Sequence, residues 1–170
     1  MTCLRNTPSS SSPPQDNATR ELVDALAAPG PATALSVCVQ ASRVSPEILA
    51  ELAEQGIARE WLKTIAALLH VPASTARHWL GIQGPRRAHR LDGDDSAGVL
   101  ALARLIGRVQ SIVVESGDPA KFDAGRWTAG FLTDPHPALG LRRPFEYMGT
   151  IEGRMTVEQL IEQQQSGAYA

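Results

Sequence analysis

Glycine and proline divide this sequence into short stretches, and the stretches carry the apolar spacing of α-helices. Many of the 14 glycines and 12 prolines lie between segments rich in Ala, Leu, Glu, Gln and Arg, residues that favour helix over strand. In residues 59–70 the apolar side chains recur at helical spacing and form one stripe: Leu62, Ile65, Ala66 and Leu69. The sequence therefore predicts an all-α fold.

Capping and turn residues set the predicted helix ends. Ser45 fits an N-cap, Pro46 the first helical position and Gly56 the position just past the end. Further helices are predicted over residues 21–28, 59–70, 75–80, 97–115, 121–132, 143–148 and 157–165. Ser74 is the predicted N-cap of the 75–80 helix, residues 92–96 supply possible caps for the 97–115 helix, and Thr156 is the predicted cap of the last helix. Residues 34–40 fit a helix or a strand equally well.

The chain is long enough for one compact domain or two small ones. Its 170 residues are 43% hydrophobic but only 5% aromatic, which indicates a core of Ala, Leu, Ile and Val. The Ser/Pro tract in residues 1–18 buries too little apolar surface to fold, so we expect a disordered leader there. The turn that starts at Gly117 then separates a helical domain of residues 19–116 from a C-terminal domain of residues 117–170.

Basic residues concentrate in the middle of the chain, although the net charge is only -2. Between residues 59 and 90 a single acid, Glu60, accompanies six cations: Arg59, Lys63, Arg77, Arg86, Arg87 and Arg90. From Trp127 onward acidic residues outnumber basic ones. A basic centre and an acidic tail indicate two different partners.

Cysteine usage and hydropathy indicate the compartment. The two cysteines are Cys3, in the expected leader, and Cys38, so we expect no structural disulfide and a reducing environment. No apolar run approaches the roughly 20 residues of a membrane span, and the first residues lack the apolar core of a signal peptide. A soluble cytoplasmic protein is predicted.

Catalytic and metal-binding motifs are missing from the sequence. No glycine-rich phosphate loop, metal-spaced Cys/His cluster or nucleophile elbow occurs. Asp94 and Asp95 are adjacent, which suits helix capping better than acid–base catalysis. His70 and His78 lack a third metal ligand nearby. We therefore expect a non-enzymatic protein with neither cofactor nor metal.

Residues 59–81 have the outline of a helix-turn-helix: a helix, a tight turn and a short second helix with polar and basic residues. The candidate DNA-contacting residues are Ser74, Thr75, Arg77 and His78 in the second helix, with Lys63, Arg86, Arg87 and Arg90 as phosphate contacts. The alternative is a solvated basic face on a helical hairpin. Trp79 and Leu80 are expected in the core under either interpretation.

The last helix also allows two interpretations. Val157, Leu160 and Ile161 form an apolar face, opposite Glu158 and Glu162. This is the pattern of an ordinary terminal helix packed on its own domain. It also suits a plug for a partner's pocket, with Tyr169 and the terminal carboxylate of Ala170 as distinctive groups.

The C-terminal segment carries several motifs in a fixed order: Pro135-His-Pro-Ala-Leu-Gly140, Arg143-Pro144, Gly153, Val157-Glu-Gln-Leu-Ile161 and Gly167-Ala-Tyr-Ala170. In this order they resemble the toxin-binding domain of Xre/MbcA/ParS antitoxins, the partners of RES-domain toxins. The resemblance extends over roughly residues 34–170, through Ser74-Thr75, Arg77 and Leu102-Ala-Arg104-Leu105. It departs at His136, where the family has Asn, at Leu141, where it has a second Gly, and at Phe131-Leu132, where it has Trp-Leu.

The resemblance implies a type II antitoxin that covers the active site of a toxin which consumes NAD+ or uses it for ADP-ribosylation. It also implies operator binding with autorepression, and a homodimer or higher-order complex with the toxin. The predicted toxin-binding residues are His136, Leu141, Arg154, Glu158, Glu162, Gln165, Tyr169 and Ala170. The alternative is a stand-alone helix-turn-helix transcriptional regulator.

Overall fold

Helices make up nearly all of the regular secondary structure in the protein, which was analysed as a computed structural model describing residues 14–83, 88–117 and 120–165. These residues form α1 (Pro14–Leu26), α2 (Pro31–Arg43), α3 (Pro46–Glu54), α4 (Glu60–Leu68), α5 (Ala73–Trp79), α6 (Gly93–Ser116), α7 (Ala124–Thr133) and α8 (Ile151–Gln165). Two 3₁₀ helices, Pro137–Leu139 and Pro144–Tyr147, connect α7 to α8. Within these ranges only two isolated β-bridges occur, Ala58–Arg90 and His136–Arg142. The all-α prediction is confirmed.

Several helix ends lie where local signals predict them. The Ser45 hydroxyl accepts from the Ile48 N–H, and Pro46 opens α3. The Asp92 carboxylate accepts from the Asp95 N–H at 2.9 Å, so α6 begins at Gly93 and includes the predicted capping segment as its first turn. Gly117 ends α6 with a φ of 98°, a left-handed conformation that glycine adopts at little cost.

Two predicted caps are wrong. Helix α5 begins at Ala73 after Pro72, which places Ser74 inside the helix. Helix α8 begins at Ile151, and Thr156 lies in its interior with its hydroxyl donating to the Glu152 carbonyl at 2.9 Å. The Thr150 hydroxyl accepts from the Gly153 N–H instead, at 3.1 Å. Thr150 thus satisfies an N–H that would otherwise lack a partner in the first turn.

Other helix boundaries in the structure differ from the predicted ones by several residues. Helix α1 begins at Pro14 rather than residue 21, so residues 14–18 of the expected leader are helical, and Leu22 is fully buried; residues 1–13 lie outside the described ranges. The ambiguous residues 34–40 belong to α2. The Asp123 side chain accepts from the Arg126 N–H, so α7 begins at Ala124 rather than 121. The predicted 143–148 helix is a 3₁₀ helix.

Helix α6 is the central element of the molecule. It packs against α2, α3, α4, α7 and α8, and its Leu102 and Ile106 are completely buried. Fully burying such a side chain contributes about 1.5–3 kcal/mol. One contiguous set of buried apolar residues runs from Leu22 in α1 to Ile161 in α8. This core continues past the predicted domain boundary at residues 116–117.

Helix α6 is also the one helix of the described segments that is long and apolar enough to cross a membrane by length and composition. Half of its most apolar 18-residue window is buried inside the protein. Its central packing position therefore accounts for its hydropathy, since a helix covered on several sides has few polar positions.

Candidate functional site

A hydrogen-bonded turn between α7 and the second 3₁₀ helix contains two of the predicted toxin-binding residues, His136 and Leu141. The His136 N–H donates to the Arg142 carbonyl at 3.0 Å, and the Leu141 N–H donates to the His136 carbonyl at 3.0 Å. The His136 Nδ1 atom accepts from the Ala138 N–H at 3.3 Å. Gly140 and Leu141 both have left-handed backbones, with φ angles of 64° and 65°. We call this segment, residues 135–142, the proline turn.

An aromatic group anchors the proline turn to the end of α7. The rings of Trp127 and Phe131 stack with their centroids 5.5 Å apart, and the His136 and Phe131 rings meet edge to face with centroids 5.8 Å apart. His136 is only 9% exposed, and its Nε2 atom lies 3.5 Å from Nε2 of Gln164 in α8. The three rings and Gln164 line a shallow pocket of about 350 Å³. His136 therefore fixes the turn from inside, and its buried ring leaves little side chain for a partner to contact.

Leu141 and Arg142 lie on the outer side of the proline turn. Leu141 is 70% exposed. The Arg142 guanidinium lies over the Tyr147 ring at 5.1 Å and donates to the Glu146 carboxylate at 3.0 and 3.1 Å. These contacts raise the pKa of Arg142, chiefly through the hydrogen bond to Glu146. They also hold the guanidinium of the residue that follows Leu141 against Glu146 and Tyr147.

The charged residues predicted on α8 lie along a different part of the surface. Glu158 accepts from Arg104 Nε at 2.6 Å, and the same guanidinium donates to the Val44 carbonyl at 2.6 Å. Arg104 therefore ties α8 to α6 and to the end of α2, a role that the sequence did not reveal because these residues are far apart in the chain. This contact gives Glu158 a structural role, whether or not it also meets a partner.

Arg154, Glu158 and the exposed Met155 line an apolar groove of about 190 Å³ between α3, α6 and α8. Burial lowers the pKa of Arg154 below its usual range. Glu162 lies farther along α8, half exposed, with a carboxylate oxygen 3.8 Å from Arg108. Of the predicted toxin-binding residues, Arg154 and Glu158 line this groove, His136 and Leu141 belong to the proline turn, and Glu162 lies on α8 outside both. The Gln165 side chain, Tyr169 and Ala170 lie outside the described residues.

Two of the basic residues predicted to contact DNA, Lys63 and Arg77, come together between α4 and α5. Lys63, Ser74 and Arg77 line a shallow pocket of about 250 Å³ together with Arg59. Thr75 is half-buried, and His78 is exposed with its ring 6.4 Å from Phe145. Trp79 and Leu80 are buried, as predicted. Arg86 and Arg87 lie outside the described ranges.

Two other cations of this region have intramolecular roles. Arg59 Nε donates to the Ala88 carbonyl at 2.6 Å. Arg90, which was predicted to contact phosphate, donates to the carbonyls of Gln55 and Gly56. These bonds fasten the segment before α6 to the start of α4, next to the Ala58–Arg90 bridge.

Helix α5 packs directly on the C-terminal segment. The Trp79 ring stacks on Phe145 of the second 3₁₀ helix, with centroids 5.9 Å apart. The turn before α5 makes a second contact, in which His70 Nε2 lies 2.7 Å from Asp123 Oδ2 at the start of α7. The α4–α5 pair, whose Arg59, Lys63, Ser74 and Arg77 we call the basic surface, therefore contacts the C-terminal segment on both sides of the proline turn in sequence, at the start of α7 and at the second 3₁₀ helix.

Residues 14–83, 88–117 and 120–165 contain no group of three or more His, Cys, Asp or Glu side chains arranged to bind a metal ion. The adjacent Asp94 and Asp95 lie in the first turn of α6. Burial, followed by the nearby Asp92 carboxylate, raises the pKa of Asp95. The cap itself is Asp92, whose carboxylate accepts from the Asp95 N–H, so Asp94 and Asp95 are first-turn acids rather than caps.

Comparison with known proteins gives two findings. Residues 120–167 match the antitoxin Xre/MbcA/ParS C-terminal toxin-binding domain. A protein of Sphingobium sp. (strain YBL2) described as a Prs ADP-ribosylating antitoxin is 35% identical to this chain over 134 residues, which span 75% of this chain and 84% of that protein. No solved structure shows a significant match.

Proposed function

Because this chain belongs to the Xre/MbcA/ParS family of antitoxins, we propose that it neutralises a RES-domain toxin by covering the toxin's active site, without catalysing a reaction itself. The observation that carries the proposal is the match of residues 120–167 to the family's toxin-binding domain. In the structure the described part of that segment forms α7, the proline turn and α8, held on the central helix. Such a preorganised surface binds a partner with little ordering cost.

We further propose that the toxin transfers ADP-ribose from NAD+ to its target. The description of the Sphingobium relative as a Prs ADP-ribosylating antitoxin supports this chemistry over simple NAD+ degradation. A cleft that binds an anionic dinucleotide needs cations, and the half-exposed Glu162 on α8 carries a charge that complements them.

Neutralisation is tested by co-expressing this chain with the toxin gene adjacent to its own and measuring growth. We expect full-length protein to protect the cells and a variant that ends at Gln165 to lose protection, because the proposed plug includes Tyr169 and Ala170. Truncation before Gln165 is unsuitable, since Val157, Leu160 and Ile161 are core residues. A variant lacking residues 1–13 is the matched control and should protect. Equal protection by both truncated variants would exclude the plug at the C-terminus.

Operator binding is the second activity that we propose. It is supported by two short helices, α4 and α5, joined by a four-residue turn, with Arg59, Lys63, Ser74 and Arg77 around one pocket. In a helix-turn-helix the second helix enters the major groove while neighbouring cations contact phosphates. We propose that a homodimer reads two half-sites and thereby represses its own operon in the cytoplasm.

A gel shift with the protein's own promoter tests this activity. We expect Lys63→Ala to weaken binding and to reduce the salt dependence by about one phosphate contact, while Lys121→Ala, an exposed lysine in the C-terminal half, leaves it unchanged. No shift at low salt would mean that the basic surface does not bind DNA. A shift without toxin co-purification would favour the alternative, a stand-alone transcriptional regulator.

A further inference from the structure

Leu141 adopts a backbone conformation that does not suit leucine. Its φ of 65° lies in the left-handed region, where the Cβ of an L-residue crowds the following carbonyl oxygen. Glycine avoids this clash, and the neighbouring Gly140 has nearly the same φ, 64°. A bulky side chain at such an angle is an outlier that marks a turn under strain.

The proline turn enforces this conformation. Hydrogen bonds of 3.0 Å join the His136 N–H to the Arg142 carbonyl, the Leu141 N–H to the His136 carbonyl, and the Gly140 N–H to the Pro137 carbonyl. Pro135 and Pro137 restrict φ on either side of His136, whose ring is buried against Phe131. Strain of this kind persists only where the surrounding structure over-determines it, and it concentrates at binding sites.

Packing does not explain leucine at this position either. Leu141 is 70% exposed, more than any other large apolar side chain in the described ranges. In the free protein its side chain gains almost nothing from burial, while its backbone is strained. Neither burial nor backbone conformation favours leucine here, so no contact in the described chain explains why leucine stands at this exposed position.

We propose that Leu141 is an apolar anchor that inserts into a pocket on the toxin and determines which toxin this antitoxin accepts. The inference rests on the proposed function, and it names a contact residue and the chemistry of the complementary site, an apolar pocket of leucine size. Leu141 lies within the segment that matches the toxin-binding domain, residues 120–167.

The surroundings of Leu141 suit an anchor. Arg142 is held by Glu146 and Tyr147, so the residue next to the leucine is charged, ordered and able to form a polar rim. Interfaces derive most of their binding energy from a few rigid apolar or aromatic anchors surrounded by such a rim. Because the backbone that carries Leu141 is already held in one conformation by the hydrogen bonds of the proline turn, it loses little entropy on association.

The proposal predicts that stability and toxin affinity change in opposite directions when Leu141 is replaced. Leu141→Gly relieves the strained backbone, so its Tm should rise by about 4 °C. It also removes the anchor, so the Kd for the toxin should increase about 10- to 100-fold. Leu141→Ala should weaken binding to a similar extent, since it removes the anchor but retains a Cβ and does not loosen the turn.

The experiment measures Tm by calorimetry and Kd by titration against a catalytically inactive form of the toxin encoded beside this gene. Leu35→Ala, an exposed leucine of α2 outside residues 120–167, is the matched control and should bind like wild type. Unchanged affinity of both Leu141 variants would overturn the anchor. Weaker binding by Leu141→Gly alone would also overturn it, because it would assign the effect to turn flexibility. If wild type does not bind the toxin, the proposed function itself fails.

Discussion

At the scale of single residues, the contact between His70 and Asp123 joins two parts of the chain that are 53 positions apart. His70 has a left-handed backbone, with a φ of 57°, in the turn between α4 and α5. Its Nε2 atom meets the carboxylate that caps α7. A residue in the turn of the basic surface therefore interacts directly with the start of the C-terminal segment.

The pKa of Asp123 predicts a small acid sensitivity. Burial acts to raise this pKa, but the hydrogen bonds from the Arg126 N–H and from His70 outweigh it, and the pKa is lowered. A lowered carboxyl pKa stabilises the folded state above the unfolded value of about 3.9, and this contribution disappears as the pH falls through the folded value.

The variant Asp123→Asn tests this assignment, because asparagine is also a good N-cap and removes only the charge. Wild type should exceed the variant in unfolding free energy by less than about 1 kcal/mol near pH 6, since both partners are exposed. Urea titrations should show the difference vanish toward about pH 3. A difference that stays constant over this range would show that Asp123 acts through its shape alone.

The reactivity of the buried Cys38 thiol is expected to report on unfolding. Its side chain is completely buried, and burial raises its pKa to about 12. Since the thiolate is the reactive form, we expect a Cys3→Ser variant to react with a thiol reagent at pH 8 only as fast as the protein opens. Labelling rates measured across a urea series should follow the unfolding transition. Rapid labelling of the folded protein would contradict this burial.

At the scale of elements, α2 and α6 cross at Gly107, where their backbones lie so close that there is no space for a Cβ atom. A Cβ added to Gly107 of α6 would lie 1.8 Å from the Cys38 carbonyl oxygen and 2.3 Å from its carbon. Both are backbone atoms, so relief requires the helices to separate. The close approach buries Val37 and Ile106 completely or nearly so.

We therefore expect Gly107→Ala to destabilise the protein by at least about 1–3 kcal/mol, the usual cost of overpacking. Gly130→Ala in α7 is the control, because an added Cβ there has no neighbour within 4 Å. Alanine is the better helix former, so this variant should be more stable by about 0.5–1 kcal/mol. Urea unfolding measures both changes, and a neutral Gly107→Ala would mean that α2 and α6 separate without loss.

At the scale of the whole molecule, close contacts join the residues on either side of the boundary predicted between residues 116 and 117. Arg104 pairs with Glu158 at 2.6 Å, Trp79 stacks on Phe145, and Gly125 approaches the Leu68 carbonyl so closely that a Cβ would lie 1.9 Å from its oxygen. The buried core is continuous across the same boundary. Both predicted surfaces therefore share one core.

This continuity predicts a single cooperative unfolding transition. Tryptophan fluorescence reports on both halves, through Trp61 and Trp79 in α4 and α5 and Trp127 in α7. We expect its urea midpoint to coincide with that of far-UV circular dichroism, and Phe145→Ala to lower both midpoints together. Separate transitions for the two probes would show that residues 19–116 fold independently of residues 117–170.

Sequence patterns predicted those features that depend on neighbouring residues. The Ser45 cap and the Gly117 stop follow from bonds or angles within one helical turn. The predicted start of α8 was wrong, because Thr150 and Thr156 have similar hydroxyls and either could cap a helix. In the structure Thr150 accepts from the Gly153 N–H, and Gly153 packs closely against the Tyr147 carbonyl. Trp127 stacks on Phe131 and is nevertheless 37% exposed, a combination that the sequence pattern does not specify.

By itself, the sequence determined the helical composition, the family and the order of the C-terminal motifs, because periodicity, capping and turn residues act over a few positions. Only the tertiary structure revealed that Arg104 binds Glu158 and that α5 rests on Phe145. It also placed His136 and Leu141 in the proline turn and Arg154 and Glu158 in the groove between α3, α6 and α8, and it showed Leu141 strained and exposed. These properties arise from contacts between distant residues, whose distances and burial exist only once the chain has folded.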